Sequence, residues 1–160
     1  MRTLKFATSD KNQLHFSAAV RKNVNDYFKE KGIPQTANYA MVLQTIVMLS
    51  LYIVPFILIL TIPMNIWVAL GLVIVMGLGT AGIGMSVMHD AVHGSYSRKE
   101  WVNKMFGSSM YLLGSNVFNW KVQHNILHHT NTNIDGFDGD IDSKGPIRLS
   151  HSAPYKKFHR

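Results

Sequence analysis

Hydrophobic positions follow two different spacings along this chain. In residues 10–31, Phe16, Val20, Val24, Tyr27 and Phe28 recur at steps of three and four. Arg21, Lys22, Asp26, Lys29 and Glu30 lie elsewhere around the wheel. That periodicity predicts an amphipathic helix, ended by Gly32 and Pro34. Its apolar face suits either a membrane surface with anionic headgroups or the rest of the protein. From Thr36 to Met88 the pattern changes: there is no Asp, Glu, Lys or Arg. A helix needs about 20 apolar residues to cross a bilayer core. The stretch therefore predicts two spans, about 40–62 and 65–88. Pro55 falls inside the first, Pro63, Met64 and Asn65 form the tip, and Trp67 sits at an interfacial position. Residues 99–118 carry Trp101, Val102, Met105, Phe106, Met110, Leu112 and Leu113 among polar residues, with Lys99, Glu100 and Lys104 at the first turn. They read as one helix lying in the cytoplasmic interface rather than a third span. Residues 134–160 read as loop. The predicted fold is an all-α integral membrane protein: a transmembrane helical hairpin followed by cytoplasmic interfacial helices.

Charge gives the hairpin a direction. The net charge is +7. Arg2, Lys5, Lys11, Arg21, Lys22, Lys29 and Lys31 precede the apolar stretch, the other basic residues follow it, and none lies in the connector. By the positive-inside rule both ends are cytoplasmic and the tip is outside. The segments are thus 1–39 (cytoplasmic), 40–88 (hairpin) and 89–160 (cytoplasmic). Residues 1–39 lack the apolar core and cleavage site of a signal peptide. No basic patch interleaved with aromatics points to nucleic acid. Cysteine is absent, which excludes disulfides, iron–sulfur clusters and thiolate zinc sites.

The candidate chemistry lies just after the hairpin. Five of the 8 histidines form two clusters: His89 with His93, and His124 with His128 and His129. Neutral imidazole is the commonest metal ligand. Residues four apart share a helix face, so His89 with His93, and His124 with His128, can each hold one ion from a single turn. His129 is rotated about 100° from His128 and can reach a second ion beside the first. Five imidazoles exceed the need of one tetrahedral zinc and fall short of two six-coordinate ions, which favours a partly supplied dinuclear site. Zinc, iron, copper and nickel all suit imidazole. A hydrolytic zinc site usually shows His-Glu-x-x-His, which is missing. Iron with an oxygen-derived oxidant better fits a lipid substrate with few polar handles. Asp90 can orient a ligand from behind. His15, His151 and His159 stand alone and read as structural.

At these residues the chain resembles the membrane-bound fatty acid desaturases. HDAVH at 89–93 matches their first histidine box, and HNILHH at 124–129 matches their second. The segment WKVQHNILHHTNTN at 120–133 is most similar to the linoleoyl-CoA and front-end subgroup. The resemblance implies that His89, His93, His124, His128 and His129 ligate two irons. It also implies that O2 and two electrons remove two hydrogens from adjacent carbons of a fatty acyl substrate, CoA- or lipid-linked, in membrane lipid. Trp120 and Asn125 recur in the subgroup's box and are implied to shape the site. As residues alone, Trp120 reads as packing and Asn125 as a helix-end hydrogen bonder. The family's third box and second hairpin are absent from these residues, which implies the N-terminal part of a longer desaturase domain. The 160 residues alone are expected to form no double bond. No His-Pro-Gly-Gly haem motif occurs, so electrons are expected from a separate donor such as a ferredoxin or cytochrome. The alternatives are a lipid hydroxylase or ketolase of the same superfamily, or a non-catalytic membrane protein that binds metal or lipid.

Two further patterns mislead. Gly77-Leu78-Gly79-Thr80-Ala81-Gly82 has the spacing of a dinucleotide-binding loop but lies inside a span, where small residues let helices approach. Asp135, Asp138, Asp140 and Asp142 suggest a calcium loop. An EF-hand begun at Asp138 would need Gly and Glu where Ser143 and Leu149 stand, so a solvated acidic turn is expected.

Overall fold

The computed structural model describes residues 11–134, 136–141, 147–148, 151 and 153–157. His159, Asp135, Asp142, Ser143 and Leu149 lie outside the described residues. The chain divides into two compact units, Met1–Thr36 and Ala37–Arg160. In the first, helix α1 spans Lys11–Lys31, as its periodicity predicts. It ends at Gly32, whose φ of 62° is the left-handed conformation that glycine adopts without strain. Phe16, Val20, Val24 and Tyr27 are exposed along it.

The second unit is built on the hairpin. Helix α2 spans Tyr39–Thr61, and α3 runs from Ile66 to Val92. They rise about 34 Å and about 40 Å, at 1.5 Å per residue, so both are long and apolar enough to cross a bilayer core. Most of their apolar side chains are exposed, as suits a lipid environment and not water. Asparagines start both helices. Asn38 Oδ1 accepts from Met41 N at 3.0 Å, and Asn65 Oδ1 accepts from Trp67 N at 3.1 Å and Val68 N at 3.0 Å. Each satisfies backbone donors that have no intrahelical partner.

The glycine run packs the hairpin. A Cβ added at Gly79 would lie 2.7 Å from Tyr52 N and 2.9 Å from Leu51 C, both α2 backbone atoms. At Gly82 it would strike the Met48 side chain, whereas Gly77 faces open space. The dinucleotide-loop spacing is thus a close helix crossing. Gly79→Ala is expected to destabilise the protein by about 1–3 kcal/mol, the usual cost of overpacking against atoms that cannot yield. Gly77→Ala is expected to be neutral or slightly stabilising through helix propensity. Thermal melts of the two variants in detergent check this; equal midpoints would refute the close crossing.

Two predicted boundaries differ from the structure. The second span, expected to end at Met88, continues as helix to Val92, so His89 rides on α3 itself and His93 caps its end. Helical hydrogen bonding does not depend on the side chains turning polar; the helix stops only where Gly94 takes φ 73°. The helix expected over 99–118 is interrupted. Helix α4 spans Glu100–Gly107 and tightens into a 3₁₀ turn, Ser108–Leu113. There the Ser108 and Ser109 hydroxyls donate to Met105 O (2.6 Å) and Phe106 O (2.5 Å), which competes with regular helix. Gly114, at φ 70°, then turns the chain away. Asn116 caps a new helix, α5, over residues 117–131, accepting from Phe118 N at 2.8 Å. Beyond it the described residues form turns, as expected.

A small core locks α3, the 3₁₀ turn and α5 to α2. Ile83, Met88 and Met110 are buried, with Met48, Tyr52, Val92, Leu113 and Trp120 packed around them. Thr45 Oγ1 donates to Met41 O, so the buried Tyr96 hydroxyl donates to Thr45, at 2.9 Å. Tyr52 OH donates to Leu112 O at 2.8 Å. Asn103 grips the 94–97 turn, accepting from Ser97 N and donating to Ser97 O, both at 2.8 Å.

Candidate metal centre

Both histidine clusters sit on or beside helical segments with an uncommon geometry. Ile83–Met88 and Lys121–His128 are π-helical, closed by i→i+5 hydrogen bonds. Such turns are rare and gather at functional sites. Their wider turn makes residues five apart neighbours. His129 therefore does not swing away from His124, as a regular helix would direct it. Its ring centroid lies 4.9 Å from that of His124, the same separation as His128 from His124.

The two clusters meet. His89 and His93 are 4.5 Å apart by ring centroids, and His124 lies 5.1 Å from the first and 5.3 Å from the second. The closest atoms are Nε2. His89 Nε2 is 3.2 Å from His124 Nε2, and His93 Nε2 is 3.3 Å from His129 Nε2. Donor atoms of His89, His93 and His124 all lie within 4.8 Å of one another, as do those of His124, His128 and Asp140. Both groups could hold a metal ion. His15 and His151 join neither group.

Carboxylates lie behind the imidazoles. His124 Nδ1 is 2.6 Å from Asp140 Oδ2, His128 Nδ1 is 2.8 Å from Asp138 Oδ1, and His89 Nδ1 is 3.1 Å from Asp90 Oδ1. A carboxylate accepts, so each of these nitrogens carries a proton, and in the neutral ring Nε2 then keeps its lone pair. The His89–His124 contact then sets two lone pairs face to face, which is unfavourable unless a cation draws both in. Two nitrogens bound to one ion at about 2.1 Å lie about 3.0–3.4 Å apart in tetrahedral or octahedral geometry. The donor set therefore fits a metal ion.

At Asp138 the acidic turn departs from the solvated one expected. The Asp138 side chain is fully buried. It accepts from Asn133 N at 2.8 Å, Asp140 N at 3.0 Å and the His128 ring. Burial pushes its carboxyl up, but the His128 N–H and the two backbone N–H groups outweigh that and hold it below the usual carboxylate range. No periodicity marks Asp138 or Asp140; the available signal was carboxylates about ten to sixteen residues after a histidine pair, a spacing set by tertiary folding.

Trp120 and Asn125 diverge. Trp120 stacks on His124 with centroids 4.3 Å apart and planes 25° apart, and meets His89 and His93 edge-on at 5.7 and 5.8 Å. Packing, the reading of the residue alone, is what it does, and what it packs is the imidazole group. Asn125 is no helix-end hydrogen bonder: it lies within the π-helical turn, and its Oδ1 is buried with no partner.

Burial first, and then the neighbouring His89, His129 and His124, lower the pKa of His93, against the opposing pull of Asp90. A lowered imidazole pKa favours the neutral form in the folded state. As pH falls below about 6.5 the unfolded chain takes up its proton first, so folding stability declines until the folded group also protonates. The metal-free protein is expected to melt at modestly lower temperature on acidification through this range; a rising midpoint would contradict the crowding of imidazoles.

Among the described residues the secondary structure is all helical, and two helices long and apolar enough to cross a bilayer lead to a convergent imidazole group that could hold a metal ion. The family model described as fatty acid desaturase matches residues 64–160, and the chain belongs to that family. It is 34% identical over 145 residues to an sn-1 linoleoyl-lipid 6-desaturase of Arthrospira platensis, covering 91% of this chain and 39% of that protein. It is 31% identical over 159 residues to an acyl-lipid (8-3)-desaturase of Physcomitrium patens, covering 98% and 33%. A Synechocystis sn-1 linoleoyl-lipid 6-desaturase is 31% identical over 145 residues, covering 91% and 40%. The chain thus spans between about a third and two fifths of the length of these curated relatives. Their names are consistent with the front-end resemblance. No solved structure matches the chain.

Proposed function

We propose that this chain is the N-terminal part of a desaturase domain that introduces a double bond into the acyl chain of a membrane lipid. The observation that carries the reading is the convergence of five imidazoles from two helices, with Nε2 atoms 3.2 and 3.3 Å apart and carboxylates behind three of them. His89, His93, His124, His128 and His129 would together hold the two irons, with further ligands supplied from elsewhere in the whole protein. Bound there, iron supplies the activation of O2 that attack on an unactivated carbon requires. The reaction balances when two hydrogens leave adjacent carbons, the double bond forms, and O2 becomes two waters using two further electrons and two protons from a separate donor protein. The part of this chain is to hold and orient: Asp90, Asp138 and Asp140 aim the imidazoles, Trp120 walls them, and α2 and α3 anchor the site at the lipid. Basic residues on both sides of the hairpin favour a cytoplasmic location for the N-terminal segment and the histidines. Relatives named as linoleoyl-lipid and acyl-lipid desaturases favour a lipid-linked substrate over a CoA-linked one.

The test is lipid analysis of cells that lack the activity and express the complete protein. A new double bond is expected. An added hydroxyl or keto group would instead assign a hydroxylase or ketolase, and unchanged lipids with metal-loaded protein would assign a non-catalytic binder.

A further inference from the structure

We infer that the Asp138-Gly139-Asp140 turn is a positioning device for the second histidine cluster. The inference rests on the reading of those histidines as ligands. An isolated imidazole exchanges its proton between two nitrogens, and only one tautomer presents Nε2. Here a single short turn supplies both acceptors: Asp138 accepts a hydrogen bond from His128 Nδ1 at 2.8 Å and Asp140 one from His124 Nδ1 at 2.6 Å. His128 and His124 are one step apart on the same helix face, and their rings stack at 4.9 Å with planes 19° apart. Two carboxylates two residues apart thus select one tautomer and one ring orientation for both.

The turn is itself braced. Asp138 has no exposed side-chain surface, and the backbone N–H groups of Asn133 and Asp140 leave it no freedom to follow a misplaced ring. Ile134 O accepts from both Phe137 N (3.1 Å) and Asp138 N (2.9 Å), and Asn133 adopts φ 64°, which asparagine tolerates better than most residues. Asp140 is the looser member, 29% exposed, and reaches toward His128 as well, at 3.8 Å. In this role Asp140 acts on the ion through His124, rather than as the ligand that its place beside His124 and His128 would also allow, so metal affinity depends on a segment that supplies no metal–ligand bond. Ordering this turn and loading the ion are coupled: each favours the other.

The test uses the complete protein in detergent, stripped of metal, then titrated with ferrous iron against a competing chelator, with the melting midpoint of the metal-free form read in parallel. Asp140→Asn keeps size and polarity at a partly exposed position and is expected to fold. It should weaken iron binding about 10–100-fold, the usual cost of losing a carboxylate behind a ligating histidine. The metal-free midpoint should stay close to that of the parent, and Asp140→Glu should recover part of the loss. Asp138→Asn should weaken iron binding as well and also lower the metal-free midpoint, because the buried Asp138 contacts brace the turn. Unchanged iron affinity in Asp140→Asn would overturn the inference. So would a metal-free midpoint falling in proportion to affinity, which would make the turn merely structural. His124→Ala and His128→Ala separate the two readings. If they lose iron and the aspartate variants do not, only the positioning role fails; if they keep full iron affinity, the ligand reading fails and the positioning role with it.

Discussion

His124→Ala in the complete protein is expected to abolish double-bond formation, by more than about 100-fold, and to lower bound iron at the same time. The expected loss exceeds the 10–100-fold typical of an outer partner because His124 is where the site's contacts meet. Its Nε2 faces His89 at 3.2 Å, its Nδ1 is held by Asp140, and its ring lies between Trp120 and His128. Alanine removes a proposed ligand and leaves the His89 nitrogen without its counterpart. His15 and His151, on elements that join no metal-binding group, supply the controls: alanine at either should leave iron content and product unchanged. Metal analysis of the purified variants together with lipid analysis of the cells checks both. His124→Ala with full iron content would remove the first helix-to-helix link of the proposed centre.

Trp120→Ala is expected to lower stability by about 2–4 kcal/mol and loosen the imidazole group together. A fully buried Trp or Phe truncated to Ala costs about 3–5 kcal/mol; Trp120 is half-buried, so the value falls toward the lower end. The indole ties the buried core of Ile83, Met88 and Met110 to three of the five histidines. Trp120→Phe retains a ring and should recover most of the loss. Chemical or thermal unfolding gives the stability; iron retention gives the site. If Trp120→Ala left both unchanged, the wall against the histidines would have no energetic weight.

Much of this was legible in the sequence because it rests on local patterns. The long uncharged stretch defined both bilayer-length helices to within a few residues, Gly32 and Pro34 marked the end of α1, and the two histidine clusters stood at helical spacing. What escaped depends on tertiary geometry. A switch from i→i+4 to i→i+5 bonding leaves no mark in hydrophobic periodicity, so the gathering of His129 onto the side of His124 could not be read from a wheel. The break at Gly114 competes with an apolar pattern that continues across it, and the serine back-bonds that loosen the helix before it are individually weak. Asp138 and Asp140 looked like solvent-facing loop residues because four aspartates among glycines usually are. Only the folded turn brings them under the histidines, where His128 and two backbone N–H groups offset the cost of burying a carboxylate. Asp90 was legible since it adjoins its histidine in sequence.

The most direct measurement of the central claim is the iron content of the complete protein, purified from membranes, beside a variant with His89, His93, His124, His128 and His129 all changed to alanine. The expected result is two irons per chain in the parent and none in the variant, which should still insert in the membrane through α2 and α3. A parent that carries no iron when supplied with it, or a variant that keeps the full amount, would contradict the assignment of these five histidines to a di-iron centre.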